Sequence, residues 1–393
     1  MNYFDRLRVQ GFRRLSDVNI PLKPLNVMIG ANGCGKTSLL EIFLFLTRSA
    51  QQNLEFAISD IGGIDTNLTS LQSLPQGKAE SIRCEISMST SERELASKHA
   101  VFDLRYILAI KPKGISYEIL EEDLTQLLSQ PVELIHSVRS QVRYHDPSSK
   151  RNERASSDHK RMETALAQVS KSFSTHENFR AQLASSAYYR SIDVSPRSPI
   201  RLPQPLRAAT LPGPNGEDLI SCLYSMRETD LDRFAAVEEA LRAGFPGFER
   251  LSFPPVAAGM LAMAWKDRSS RHPYYTHQLS EGTLRFLWLA TLLQSPGLTA
   301  VTLIDEPEVS LHPELLSLLA DLMREASQRT QLIVATHADR LIRFLKPSEV
   351  LALDIGDDGA ATATWADEFD LEEWLKEYTL DEVWRQGRIG GRS

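Results

Sequence analysis

The chain has 393 residues, 42% of them hydrophobic and 24% charged, and its formal net charge is −7. This composition is typical of a globular protein with sizeable cores and excludes one whose whole surface is basic. Since no apolar run approaches the roughly 18 residues of a membrane span and the N-terminal stretch is too polar for a secretory signal, we expect a cytoplasmic protein without membrane contacts.

The N-terminal segment predicts three strands, a glycine-rich turn and a helix. The strands are expected at residues 3–9, 17–21 and 25–29, and the last is apolar except at Asn26, as in a strand buried on both faces. Leu39, Leu40, Phe43 and Leu46 then recur at helical spacing. The order is therefore strand, turn, helix.

The turn between them, GANGCGKT from Gly30 to Thr37, fits the phosphate-loop pattern G-x-x-x-x-G-K-[ST] at every defined position. Its glycines let successive backbone N–H groups point at an anion, and the helix N-terminus adds partial positive charge. Lys36 is expected to reach the outer phosphates of a nucleotide, and Thr37 is expected to ligate Mg²⁺.

The middle of the chain predicts three kinds of structure in succession: a β layer, a helical region and an extended linker. Residues 55–120 contain short alternating runs between glycine turns, which indicates an antiparallel β layer. From residue 121 to about 183 the pattern predicts helices, interrupted by a polar loop at 143–161, and residues 195–205 read as an extended linker. Residues 139–207 hold thirteen basic and six acidic residues, so this segment faces a polyanion or is a solvated loop.

The remainder predicts a parallel α/β layer. Helices are expected at 229–243, after the stretch LSEGT (279–283) and at 313–327, and strands at 300–304 and 331–335. Both strands end in polar residues: Asp305 and Glu306 follow the first, and His337 follows the second. Two adjacent acids that end a buried strand are costly unless a cation or hydrogen bonds compensate them.

These side chains suit phosphoryl transfer to water. Asp305 is expected to hold Mg²⁺, Glu306 to polarise the attacking water, and His337 to sense the γ-phosphate. The alternatives are plain strand-end solvation for the two acids and a strand-end histidine. Ser280 and its neighbours likewise read, taken alone, as an ordinary helix N-cap.

Taken together, GANGCGKT, LSEGT, LIDEPEVSLHP and ATHAD resemble the motifs of the ABC-type ATPases of the RecF, structural-maintenance-of-chromosomes and overcoming-lysogenisation-defect class. More narrowly, the chain is similar to bacterial AAA-family ATPases that share an LSEGTLRF…DEPEVSLHP core. The resemblance covers roughly residues 1–45 and 211–393 and implies a P-loop head of α/β fold, with an antiparallel β layer and a helical insertion. It also implies an ATPase that depends on Mg²⁺.

The resemblance assigns roles residue by residue. Phosphate binding falls to the loop, catalysis to Glu306, the switch role to His337, and contact with the γ-phosphate of a second head to Ser280 and Gly282. The phosphate-binding residues are Gly30, Asn32, Gly33, Gly35, Lys36 and Thr37, with Arg13 near the nucleotide. Mg²⁺ is assigned to Thr37 and Asp305. The glutamine that usually also contacts Mg²⁺ has two candidates, Gln51 and Gln52.

From these assignments we expect four segments. They are an ATPase lobe with the β layer (1–120), a helical, basic insertion and linker (121–210), a second ATPase lobe (211–345) and C-terminal strands with an acidic, aromatic tail (346–393).

The resemblance implies that ATP joins two heads into a homodimer or a higher even-numbered assembly. Only 56 residues follow His337, too few for a nuclease domain, so the head is expected to control a separately encoded effector, a nuclease, in antiphage defence. The first alternative is a stand-alone RecF-like repair ATPase that binds duplex DNA through residues 139–207. The others are a transporter subunit and a regulator that binds ATP without turnover.

Overall fold

The structure, a computed structural model, describes residues 3–74, 77–89, 103–138, 141–146, 151–154, 160–371 and 373–390. The first half contains β1 (Tyr3–Phe12), β2 (Leu15–Pro21), β3 (Leu25–Gly30), α1 (Lys36–Ala50), α2 (Leu54–Asp60), β4 (Ile82–Ser89), β5 (Leu104–Lys113), β6 (Ser116–Gln126), β7 (Val132–Val138), β8 (Gln141–Asp146), β9 (Arg151–Arg154), α3 (Ser174–Ala184) and β10 (Ser186–Tyr189).

The second half contains β11 (Gln204–Pro205), α4 (Leu219–Thr229), α5 (Leu231–Gly244), β12 (Phe248–Ser252), β13 (Met260–Leu261), β14 (Ala264–Asp267), β15 (Tyr274–Tyr275), α6 (Glu281–Gln294), β16 (Val301–Asp305), α7 (Leu315–Ala326), β17 (Gln331–Ala335), α8 (Asp339–Ile342), β18 (Val350–Ile355), β19 (Ala361–Trp365) and α9 (Leu380–Arg385). No helix among the described residues is both long and apolar enough to cross a membrane.

The chain forms two compact units. The first comprises residues 1–187, 347–372 and 386–393, and the second comprises residues 188–346 and 373–385. The first unit is therefore built from both ends of the sequence.

The first unit contains an antiparallel sheet of eight strands in the order β2-β1-β4-β5-β6-β7-β8-β9. Phe179 of α3 packs on this sheet, with its ring centroid 6.0 Å from that of Phe4 and 5.8 Å from that of Tyr106. The antiparallel layer predicted within residues 55–120 is confirmed by β4, β5 and the start of β6, whereas Leu54–Asp60 form the helix α2. The layer also extends further along the chain than the sequence indicated.

The helices predicted for residues 121–142 were wrong, because most of the described residues in this range lie in strands β6, β7 and β8. The loop predicted for residues 143–161 was wrong in part, because residues 143–146 lie in β8 and residues 151–154 form β9. Polar residues of β6 have partners across the sheet: Arg83 forms an ion pair with Glu121, and His136 contacts Asp123 at 2.7 Å. Such cross-strand pairs place charge where alternation would put an apolar residue, and so they hide the strand period. Further along, the predicted helix around Leu166 is a single 3₁₀ turn, and α3 is the α-helix found among the described residues between 121 and 183. Residues 147–150 and 155–159 of the predicted loop lie outside the described residues.

A second sheet of the first unit carries the predicted phosphate loop. β3 pairs in parallel with β18, and β18 pairs antiparallel with β19. Every residue of β3 is buried, as its apolar sequence predicted. In α1 the four apolar positions of the predicted stripe, Leu39, Leu40, Phe43 and Leu46, are buried as well. These two elements fix the entry to and the exit from the loop.

The second unit has its own core of helices and short strands. β16 and β17 pair in parallel, with Asp305 opposite Ala335, so the two predicted strands are confirmed and end at the same level. The helices α5, α6 and α7 pack together, and Trp288 of α6 donates its indole N–H to Gly213 O at 2.9 Å. α4 and the antiparallel sheet β12-β14-β15 were not predicted.

One buried carboxylate ties the antiparallel sheet to the segment before α3. Glu122 of β6 is 1% exposed and accepts hydrogen bonds from Tyr106 Oη at 2.9 Å, Ala165 N at 2.6 Å and Leu166 N at 2.8 Å. The same segment reaches the end of α1, because Thr164 Oγ1 donates to Ser49 O at 2.8 Å. Burial raises the pKa of Glu122 to about 7.

We expect Glu122 to make the stability of the first unit depend on pH. Because the folded-state pKa exceeds the unfolded one, the folded chain holds this proton as pH rises and loses stability towards neutral pH. Between pH 5.5 and 7.0 the loss is about 1–2 kcal/mol, because the slope is at most about 1.4 kcal/mol per pH unit and falls to about half as the pH reaches the folded-state pKa. Urea unfolding of the wild type and of Glu122→Gln at both pH values checks this, since the variant should lack the difference. Equal pH slopes for the two proteins would refute it.

Candidate functional site

The loop between β3 and α1 has the backbone of a phosphate cradle. Gly30, Gly33 and Gly35 have φ of 148°, 77° and 115°, a region that other residues adopt only with strain. A Cβ at Gly30 would lie 2.3 Å from Leu353 O and 2.7 Å from Cys34 Sγ, so no side chain fits there. A Cβ at Gly33 would meet nothing within 4 Å, so the loop is open above this glycine.

Lys36 lies inside this loop. It is 3% exposed, and its Nζ donates to Gly30 O at 2.6 Å and to Ala31 O at 3.0 Å. Asn32 and Thr37 are exposed beside it. A buried ammonium group, a helix N-terminus and a glycine backbone with open space above it together fit a chain of phosphate groups.

Arg13 is anchored to the helix that follows the loop. It adopts a φ of 49°, donates from Nε to Asn67 Oδ1 at 2.7 Å and forms an ion pair with Glu41 of α1 at 2.5 Å. Its Nη1 also donates to Ser38 Oγ at 3.3 Å, one residue beyond Thr37. The guanidinium group therefore stabilises the first two turns of α1, and its predicted contact with a nucleotide stays a prediction.

The candidate glutamines are both engaged with backbone carbonyls of the first unit. Gln51 Nε2 donates to Ala184 O at 2.7 Å, and Gln52 Nε2 donates to Ala167 O at 2.8 Å. Both amides thus join the end of α1 to the chain around α3, and neither is singled out as a metal ligand.

In the second unit, Asp305 ends β16 and has a partner that the sequence did not assign to it. Tyr188 Oη donates to Asp305 Oδ2 at 3.0 Å. Burial raises the pKa of Tyr188 to about 12, so this hydroxyl remains a donor at neutral pH. The guanidinium carbon of Arg190 lies 4.9 Å from the centre of the Tyr188 ring. Tyr188 therefore orients the carboxylate, and the predicted contact of Asp305 with Mg²⁺ stays a prediction.

Glu306 and His337 meet at the ends of two neighbouring strands. Because β16 and β17 are parallel and in register, the residues that follow them emerge side by side. Glu306 Oε1 lies 3.8 Å from His337 Nε2. Glu306 has a φ of 50°, and its N–H donates to Ala335 O at 2.8 Å. The two side chains predicted to act on the γ-phosphate are therefore brought together.

The LSEGT stretch forms the N-terminus of α6. Ser280 caps the helix, since its Oγ accepts from Thr283 N at 3.1 Å. Gly282 packs against the loop after β16: a Cβ at this position would lie 2.7 Å from Ser310 O. Ser310 itself has a φ of 60°. The helix start and this loop are thus in direct backbone contact.

Arg201 holds the segment that precedes Ser280. Its Nη1 donates to Leu279 O at 2.9 Å and its Nε to Val194 O at 2.6 Å. Thr276 Oγ1 donates to Arg201 O at 2.8 Å. The sequence placed Arg201 in the basic segment 139–207, and nothing in the motif pattern indicated this internal role.

Two other arginines of the basic segment also form ion pairs within their own units. Arg180 contacts Glu177 at 2.6 Å, and Arg207 pairs with Asp218. Arg139 and Lys150 lie outside the described residues. The cationic surface that this segment offers is therefore smaller than its sequence charge suggests.

Residues 25–343 match the family described as "AAA domain, putative AbiEii toxin, Type IV TA system". No curated protein matches the sequence.

Solved structures with a similar fold are heads of Smc proteins. One, bound to the C-winged helix domain of ScpA, is 16% identical with a TM-score of 0.56, over 93% of this chain and 99% of that chain. A Smc head from Pyrococcus furiosus, bound to the C-terminal domain of ScpA, is 14% identical with a TM-score of 0.52, over 96% of this chain and 98% of that one. A third, from Pyrococcus yayanosii, is 12% identical with a TM-score of 0.51, over 98% and 100%. The expected α/β P-loop head is confirmed.

Gly282→Ala should separate the start of α6 from the loop after β16, because the new methyl group would meet a backbone oxygen that cannot rotate away. We expect a loss of about 1–3 kcal/mol in the free energy of unfolding, measured by urea denaturation. The control is Gly356→Ala, whose Cβ has as its nearest neighbour the flexible Asp358 side chain at 3.1 Å. A Gly282→Ala variant as stable as this control would contradict the packing argument.

Proposed function

The chain belongs to the AAA-domain family described as "putative AbiEii toxin, Type IV TA system", and on this premise we propose that it is an ATP-operated switch. In this proposal an ABC-type head of the structural-maintenance-of-chromosomes and RecF class binds ATP with Mg²⁺, pairs with a second head and hydrolyses the nucleotide. The change between paired and unpaired heads controls a separate effector, a nuclease, in antiphage defence.

The observation that carries the proposal is the cradle of Gly30, Gly33 and Gly35 around the buried Lys36. Burying a charged lysine costs desolvation free energy unless hydrogen bonds or an opposite charge compensate it. Here two loop carbonyls, at 2.6 and 3.0 Å, hold the ammonium group where phosphate oxygens bound by the loop would reach it. Asn32 belongs to the same loop, and Thr37, at the helix start, is the side chain that we assign to Mg²⁺.

The second unit supplies the hydrolytic groups in this proposal. Mg²⁺ bound with ATP would neutralise developing phosphate charge, and it typically takes one or two carboxylates besides the phosphates. We assign Asp305 to this ion because Tyr188 orients it. Glu306 is the base that takes a proton from the attacking water, and His337, 3.8 Å away, is placed to report the state of the γ-phosphate.

Ser280 and Gly282 are assigned to the nucleotide of the opposite head. The start of a helix presents free N–H groups, which suit an anion. The contact of Gly282 with the loop after Glu306 gives a physical route by which engagement of a second head could reach the hydrolytic groups. Slow turnover by a single head and faster turnover by a pair would follow.

The role in defence is supported by the family description, and the protein partner by analogy with the Smc heads, which were solved with domains of ScpA. Leu375 and Tyr378 are 37% and 38% exposed and precede α9, whose Leu380 and Val383 are buried. We propose that the exposed pair takes part in binding the effector, while α9 anchors it. The alternative, direct binding of duplex DNA by residues 139–207, is less favoured because Arg180, Arg201 and Arg207 have internal partners.

Lys36→Ala should weaken ATP binding about tenfold to hundredfold, because it removes a charged donor to the phosphates. Titration with a fluorescent ATP analogue measures this. Lys78→Ala is the matched control, since Lys78 is an exposed lysine of the same unit that pairs with Asp65 at 2.9 Å. Equal affinities of both variants would count against the cradle.

Glu306→Gln should retain ATP without hydrolysing it and therefore accumulate as a dimer or larger assembly in ATP and Mg²⁺, measured by light scattering after size exclusion. Adding Ser280→Arg to this variant should return it to the monomer, since the larger side chain would block the opposite nucleotide. A Glu306→Gln chain that stays monomeric with saturating ATP would remove the dimer from the proposal.

A further inference from the structure

Glu308 joins the two loops that carry Glu306 and His337. It lies in the turn after β16, and its Oε1 accepts the backbone N–H groups of His337 and Ala338, both at 3.1 Å. Both donors belong to the loop after β17. One carboxylate oxygen therefore bridges the ends of two neighbouring strands.

This bridge is part of a closed frame. Two sets of hydrogen bonds join the loop after β16 to β17 and the loop that follows it. Glu306 N donates to Ala335 O at 2.8 Å, and Glu308 Oε1 accepts hydrogen bonds from His337 N and Ala338 N. Between them lies the 3.8 Å contact of Glu306 Oε1 with His337 Nε2. Because Glu306 also holds a positive φ of 50°, its backbone is costly to maintain and needs such fixed neighbours.

Glu308 is held in this frame with little access to water. Its Oε2 is buried and accepts no hydrogen bond from the described residues. Burial raises the pKa of Glu308, while hydrogen bonds from the Thr336 hydroxyl and from backbone N–H groups, including that of His337, act in the opposite direction. The two backbone N–H groups stabilise a carboxylate that is poorly hydrated, and the carboxylate supplies the hydrogen-bond acceptor that these N–H groups require.

We propose that Glu308 is a positioning residue that sets the placement of His337 relative to Glu306, and that turnover depends on it while nucleotide affinity does not. This inference rests on the proposed ATPase function. Glu308 acts through the backbone of the switch loop, whereas the side chains of Glu306 and His337 face the reaction.

Two variants separate positioning from simple loss of structure. Glu308→Ala removes the acceptor, and Glu308→Gln keeps an oxygen that can accept both N–H groups. Glu314→Ala is the matched control, because Glu314 lies in the same segment with its side chain 89% exposed.

The first measurement is hydrogen exchange at His337 and Ala338 in the protein without nucleotide. We expect Glu308→Ala to speed exchange of these two amides about tenfold or more, since both lose their acceptor. Glu308→Gln should restore much of the protection, and Glu314→Ala should leave it unchanged. Unchanged exchange in Glu308→Ala would overturn the proposal.

The second measurement is steady-state ATP hydrolysis. Glu308→Ala should lower kcat about tenfold to hundredfold, as expected of a misplaced reacting group, with KM for ATP changed less than about threefold. Glu308→Gln should recover part of kcat. A parallel rise in KM, or no change in kcat, would overturn the positioning role. If the wild type shows no hydrolysis, the proposed function fails, and the exchange measurement alone decides whether Glu308 fixes the loop.

Discussion

The phosphate loop depends on the parallel pairing of β3 with β18. Leu353 of β18 lies opposite Gly30 in this pairing, and its carbonyl oxygen occupies the space that a Cβ at Gly30 would need. Glycine is therefore required at position 30 for two reasons. Its φ of 148° disfavours other residues, and the carbonyl oxygen of Leu353 leaves no space for a Cβ. Once the chain leaves β3 in this conformation, Lys36 turns inward and α1 begins with its N-terminus at the loop. The cradle is thus a property of the sheet as much as of the motif.

The second unit is subject to a different constraint, because three acidic side chains lie at or just after the end of the buried strand β16. Asp305 and Glu308 accept hydrogen bonds, and the side chain of Glu306 is 45% exposed to solvent. Asp305 accepts a hydrogen bond from Tyr188, Glu306 extends to His337, and Glu308 accepts two backbone N–H groups. Acids that would repel one another in an apolar setting are thereby held in separate, defined directions.

Much of this organisation could be predicted from the sequence because motifs record local geometry. The phosphate loop needs glycines at fixed positions, and β16 and β17 are apolar runs whose ends are marked by acids and a histidine. Tyr188 and Arg201 escaped prediction because their partners, Asp305 and Leu279, are distant in sequence and no spacing rule connects them. The strands β6 to β8 escaped prediction because Glu121 and Asp123 have their partners, Arg83 and His136, on other strands of the sheet. These polar pairs remove the apolar alternation on which strand prediction relies.

The first unit is assembled from both ends of the polypeptide, with Val27 paired to Val350. During synthesis from the N-terminus, GANGCGKT leaves the ribosome long before the strand that supports it. Pairing at such separation is slow, because the loop-closure entropy must be overcome before contacts compensate it. A nascent chain that has not yet reached β18 would thus lack the strand that supports the cradle, and any nucleotide that binds the folded loop would stabilise only chains in which β18 has been made.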